Sequence, residues 1–260
     1  MDPLAAYSPP HLAFYDVAFT RFFRRHMHAL RMPPWGFPEM PLGLPLVVFA
    51  NHPSWWDGVA FMLLSRRLFA GRRAFVPMEA AALDRYRFMR RLGVFGVEPS
   101  SPRGAVAFLR IATRVLAPER ADMLWMNAPG RFSDPRERPV PIAPGLARLP
   151  ELAPQACYLP LALDYPFWSE RKPEMLAAFG PPLRGAALQA MPREARAEAF
   201  AAALGGVMDR LAEEAIWRDP ARFRVVEQGR EGMGGIYDHW RHLRARLAGR
   251  HFDPRHEARE

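Results

Sequence analysis

Between residues 46 and 163 short apolar runs alternate with stretches of helical periodicity, and this alternation limits the chain to a small group of folds. Segments 46–50, 73–78, 93–98, 123–127 and 155–163 have the length and apolar content of buried strands. Segments 59–70, 80–92 and 103–117 repeat their apolar residues at helical spacing, and a short helix is expected near 145–149. Strand followed by helix followed by strand predicts an α/β fold, a mixed sheet flanked by helices. A further strand is expected at 174–179. A long helix is expected at 193–217, where Phe200, Leu204, Val207, Leu211 and Ala215 share one face and Pro192 stands near the start. The glycines of 229–235 have neither the G-K-[ST] ending nor the G-x-G-x-x-G spacing of a phosphate loop, so this segment reads as a connection to a helix over 236–247.

With 260 residues, 50% of them hydrophobic, the chain can bury one sizeable core. The expected division is an N-terminal amphipathic helix and proline-rich loop (1–45), a core (46–190) and a C-terminal helical segment packed on it (191–260). The N-terminal helix is expected over 12–31. Leu12, Tyr15, Phe19, Phe22, Phe23, Met27 and Leu30 recur at helical spacing, and Asp16, Thr20, Arg21, Arg24, Arg25 and His28 take the other faces. Phenylalanine on one side and arginine on the other suits a helix lying in a bilayer interface, and it equally suits one packed on the protein's own core. The loop 32–45 leaves the same choice for Trp35 and Phe37. His26 and His28 lack the neighbouring ligands that a metal site needs.

No run of about 18 apolar residues is uninterrupted, and the N-terminus has no basic segment followed by an apolar core and a cleavage site. Neither a transmembrane helix nor a signal peptide is expected. The formal net charge is +9, and Lys172 is the only lysine, so the cations are almost all arginines. Such a balance implies an anionic partner, and guanidinium groups suit phosphates. A membrane surface or an acidic substrate fits better than nucleic acid, because no zinc-finger spacing, RNP-like motif or lysine-rich tail is present. The single cysteine, Cys157, excludes an intrachain disulfide and is expected to be a core filler.

Between the first strand and its helix stands Asn51-His52-Pro53-Ser54-Trp55-Trp56-Asp57-Gly58. Side chains five apart do not share a face of a straight helix, but Pro53 breaks the helix between them. A turn at 51–53, with Ser54 as N-cap and Asp57 in the first helical turn, would let the carboxylate reach back to the imidazole. The pair then makes a general base: the carboxylate fixes the tautomer and stabilises the protonated ring. The bland alternative is a helix-capping Asp57 beside an ordinary turn histidine.

This stretch resembles the first motif, H-x-x-x-x-D, of the lysophospholipid or glycerolipid acyltransferase family. The likeness continues in the family's order through Gly93-Val94-Phe95-Gly96-Val97, Gly130-Arg131-Phe132-Ser133 and Tyr158-Leu159-Pro160-Leu161-Ala162. It implies direct acyl transfer from acyl-CoA or acyl-carrier protein to a lipid hydroxyl, His52 and Asp57 being catalytic and no further cofactor needed. It also implies substrate binding around Asn127, Gly130 and Ser133. Arg103 and Arg131 are candidates for a replacement phosphate contact or else two solvated arginines, and the protein is expected to meet the cytoplasmic face of a membrane peripherally. Two positions depart from the family: Pro129 stands where its glutamate should be, and Glu98, Pro99 and Ser100 stand where an arginine should grip the acceptor phosphate. These departures bear on the acceptor, a lysophospholipid or a lipid alcohol without phosphate, more than on the reaction. The other readings are a membrane-associated scaffold without turnover and, on charge alone, a nucleic-acid binder. Neither G-x-S-x-G nor a histidine near Cys157 offers a covalent nucleophile, and Ser54 is better explained as a cap.

Overall fold

A computed structural model describes residues 2–39, 43–99 and 101–230. The chain begins with α1 (Pro3–Ala6), α2 (Pro9–His26), β1 (Ala29–Met32) and a 3-10 turn at Pro34–Gly36. There follow β2 (Leu46–Ala50), α3 (Asp57–Leu68), β3 (Ala74–Glu79), α4 (Ala80–Arg85), β4 (Val94–Val97), α5 (Pro102–Val115) and β5 (Met123–Asn127). The second half holds α6 (Pro144–Leu152), β6 (Cys157–Asp164), β7 (Met175–Phe179), β8 (Leu183–Arg184), α7 (Gly185–Gln189), α8 (Arg193–Ile216) and β9 (Arg224–Gln228).

The strands form one mixed sheet in the order β4-β3-β5-β2-β6-β7-β1-β9, with β8 paired to the start of β6. β2 lies between β5 and β6, parallel to both, and all five of its residues are fully buried. A strand covered on both faces has no need of alternation, which is why Leu-Val-Val-Phe-Ala is apolar throughout. Val47 and Phe49 join the core on the side of α5, α6 and α8, with Phe108, Leu146, Phe200 and Leu204. Leu46, Val48 and Ala50 join the other core, with Phe23, Leu63 and Leu64 of α2 and α3. The α/β fold with a mixed, helix-flanked sheet is therefore as expected.

Connections leave β2 and β6 in opposite directions. From β2 the chain passes through α3 to β3, beyond β5; from β6 it turns to the antiparallel β7 on the other side. Adjacent parallel strands that diverge in this way open a crevice at their carboxyl ends, where open α/β sheets place ligands.

Several elements differ from expectation. The N-terminal helix stops at His26 rather than continuing to residue 31, because 29–32 pair with β7 and β9 as a sheet strand. Non-local partners hold that strand: Glu174 takes His28 Nδ1 at 2.5 Å and Arg31 Nε at 3.0 Å, all three side chains being buried. Trp35 and Phe37 face the protein's own arginines. Arg210 lies 3.9 Å above the Trp35 ring, whose indole N–H reaches Glu214, and Arg224 lies over Phe37. Segment 80–92 is two helices that meet at Tyr86, closed by Gly93 at φ +91. The C-terminal segment contributes β9 to the sheet, which helical periodicity did not foresee. The expected helix over 236–247 lies outside the described residues.

Candidate active site

The site is built where β2 ends. Asn51, 1% exposed, donates through Nδ2 to Leu163 O (2.9 Å) and accepts from Leu163 N (2.8 Å). Its side chain replaces the next rung between β2 and β6, so the turn that follows starts from a fixed point. Ser54 Oγ accepts from Trp56 N at 3.2 Å, and Asp57 N donates to Ser54 O. Ser54 organises this turn without being the helix cap: α3 begins at Asp57 with Trp56 at the N-cap position. Asp57 is drawn inward rather than toward the turn's solvent side, because its carboxylate has partners within the protein.

Those partners define the geometry. Asp57 Oδ2 lies 2.5 Å from His52 Nδ1 and 3.4 Å from the Ser54 amide, and Oδ1 accepts from the Tyr165 hydroxyl at 2.6 Å. The carboxylate is 1% exposed, and it sits in the first turn of α3, where the helix dipole favours negative charge. Next to a carboxylate the His52 Nδ1 carries the proton, which leaves the lone pair on Nε2. Among the described residues Nε2 has no hydrogen-bond partner, and the ring keeps 18% of its surface exposed. Burial, and then the charge of Asp57, holds the Tyr165 hydroxyl well above the ordinary tyrosine range, so it stays a neutral donor. Burial likewise holds the neighbouring Asp164 above the usual carboxylate range.

Segment 127–133 lies along the other side of His52. Ala128 N donates to Ala50 O, Gly130 turns the chain at φ +67, and Ser133 N donates to His52 O at 2.9 Å. Phe132, 59% exposed, stacks on the imidazole with ring centroids 4.1 Å apart. Asn127 ends β5 beside Ala50, and its Oδ1 is buried without a partner among the described residues.

The structure therefore brings His52, Asp57, Asn127, Gly130 and Ser133 to one end of the sheet. Arg131 belongs to the same loop, but its guanidinium is engaged by Glu137 at 2.6 Å. Arg103 is exposed at the start of α5, after β4, and β3 and β5 separate that strand from β2. Cys157 is buried at the opposite end of β6, and burial pushes its thiol up, so it is no nucleophile here. His26 packs at a tilt against Phe22 while His28 is taken by Glu174. Among the described residues no group of three or more histidine, cysteine or acidic side chains is placed to hold a metal.

Tyr165 and Phe132 were not found from the sequence. Tyr165 stands 108 positions from Asp57 and follows β6 with no motif around it. Phe132 lay within a recognised stretch, but nothing in its neighbours indicated a stack on His52. The sequence matches no known protein-family model, and no curated protein matches it significantly.

Proposed function

We propose that the chain is an O-acyltransferase that moves a fatty acyl group from acyl-CoA or acyl-carrier protein to a hydroxyl of a lipid acceptor. One observation carries this reading. A buried carboxylate holds Nδ1 of a histidine whose Nε2 is left free at the carboxyl ends of the central strands. The resemblance of segments 51–58, 93–97, 130–133 and 158–162 to the glycerolipid acyltransferases supplies the reaction class.

The acceptor oxygen attacks the thioester carbonyl carbon as its proton passes to His52 Nε2, and Asp57 offsets the charge growing on the imidazole. Collapse of the tetrahedral intermediate re-forms the carbonyl and breaks the C–S bond. The departing thiolate takes the proton from Nε2, and the neutral histidine is restored. No residue is acylated, which agrees with the buried, raised-pKa Cys157.

Arg131 is engaged by Glu137, and proline occupies position 129. These features favour a lipid alcohol that makes few demands on a phosphate grip, with a lysophospholipid as the other candidate. The surface also suits peripheral contact with anionic lipid. On α2 the exposed side carries Phe14, Val17 and Phe22 with Arg21 and Arg25, and Trp55, 57% exposed, lies against Phe22. Among the described residues no helix is long and apolar enough to cross a membrane.

The test supplies labelled acyl-CoA and acyl-carrier protein separately, each with lysophosphatidic acid, glycerol 3-phosphate and a panel of neutral lipid alcohols. Transfer to a lipid alcohol that disappears in His52→Ala is expected. Absence of transfer from either donor to every acceptor would overturn the proposal. Efficient acylation of lysophosphatidic acid would overturn only the choice of acceptor.

A further inference from the structure

We propose that Tyr165 is a positioning residue for this reaction, its hydroxyl holding Asp57 from the side opposite His52 and setting how strongly the imidazole binds a proton. The catalytic consequence rests on the acyltransferase reading; the effect on His52 does not.

The two oxygens of Asp57 are divided between two side chains. Oδ2 faces His52 Nδ1 at 2.5 Å, and Oδ1 faces the Tyr165 hydroxyl at 2.6 Å. A carboxylate gripped at both oxygens cannot rotate about its Cβ–Cγ bond without losing a charge-assisted hydrogen bond. The grip therefore fixes the plane in which Nδ1–H must lie, and so fixes where Nε2 points. Tyr165 is itself fixed, because Asn51 ties Leu163, two residues earlier, to the end of β2. Base and positioning residue thus hang from the same two adjacent strands.

The hydrogen bond also has an electrostatic effect. A donor on Oδ1 withdraws charge that would otherwise stabilise imidazolium at Oδ2. The other groups facing this assembly are few. The Ser54 amide and the amino end of α3 face Asp57, Phe132 covers the imidazole face, and Asp164 adjoins Tyr165, with Asp134 and Arg136 acting on Asp164. On the α2 side His26 packs against Trp56.

Removing the hydroxyl should move the His52 titration to higher pH, and strengthening it as a donor should move the titration the other way. The experiment follows the ring signals of His52 by NMR in the full-length protein, assigned with His52→Ala, for wild type, Tyr165→Phe and a chain carrying 3-fluorotyrosine at 165. Expected is an upward shift in Tyr165→Phe and a downward shift with the more acidic fluorotyrosine. The rising limb of kcat/KM against pH should move in the same directions, with kcat about tenfold lower in Tyr165→Phe and KM little changed. A merely structural tyrosine would give neither sign. An unchanged or downward titration in Tyr165→Phe overturns the proposal, and so does an unmoved or upward titration with fluorotyrosine should the phenylalanine variant not fold. The expected titrations in a protein that transfers no acyl group would refute the enzymatic reading and leave this one standing.

Discussion

At the scale of the residue, the site depends on one proton being in one place. On the proposed mechanism His52→Ala removes the Nε2 that takes the acceptor's proton, and a positioned base contributes on the order of 10²- to 10⁴-fold. Transfer should fall by that factor while the circular dichroism spectrum and thermal unfolding stay close to wild type, because the ring is partly exposed and stacks on an exposed Phe132. Asp57→Asn should lose most activity for a different reason. The amide can present its NH₂ to Nδ1, which moves the ring proton to Nε2 and leaves no lone pair there for the incoming hydroxyl. A folded His52→Ala protein with near-normal turnover would sink the mechanism. Similar activity in Asp57→Asn would show that the carboxylate merely holds the turn before α3.

At the scale of the element, α2 answers the question that its sequence left open. Its strongest apolar residue, Phe23, is fully buried with Met27 just beyond the helix, while Phe14, Val17 and Phe22 remain exposed beside Arg21 and Arg25. The helix packs on the core and still offers an outer side that is part apolar and part basic. Deleting residues 1–31 would therefore be a poor test of membrane binding, since it removes most of β1 and the buried partners of Glu174. Phe14→Glu with Trp55→Glu alters only exposed side chains. Co-sedimentation with anionic vesicles should weaken markedly in that double variant, and equal sedimentation would place the contact elsewhere. The turn after β2 offers a second prediction. In Asn51→Ala both the Leu163 amide and its carbonyl lose their partner in a buried position, at a cost of roughly 1–3 kcal/mol. Denaturant unfolding should show the loss, with activity falling further because His52 and Tyr165 depend on the same rung.

At the scale of the whole molecule, buried hydroxyls give the fold an alkaline limit. Tyr158, in β6, and Tyr165 are both held above the ordinary tyrosine range, chiefly by burial. A raised folded-state pKa means that the folded chain keeps these protons longer than the unfolded chain does. Stability is then intact below the ordinary tyrosine pKa and declines as pH rises past it. Tyrosinate absorbance should show that these two groups ionise together with global unfolding. Reversible ionisation of every tyrosine in a protein that stays folded would contradict this.

The sequence by itself determined the local parts. Period and length identified β2, β5, α3, α5 and α8 closely, because buried strands and amphipathic helices write their environment into consecutive residues. The five-residue span from His52 to Asp57, interrupted by Pro53, marked the imidazole and the carboxylate as neighbours for the same local reason. The tertiary structure decided what depends on residues far apart in the chain. It made 29–32 a strand, because Glu174 and β7 supply partners that helical spacing cannot register. It placed Tyr165 on Asp57 and Phe132 on His52, and gave Arg131 to Glu137. Strand order is fixed by the packing of whole faces, and no short window of sequence carries that information. Contacts between loops that the sheet brings together therefore emerge only once the sheet has formed.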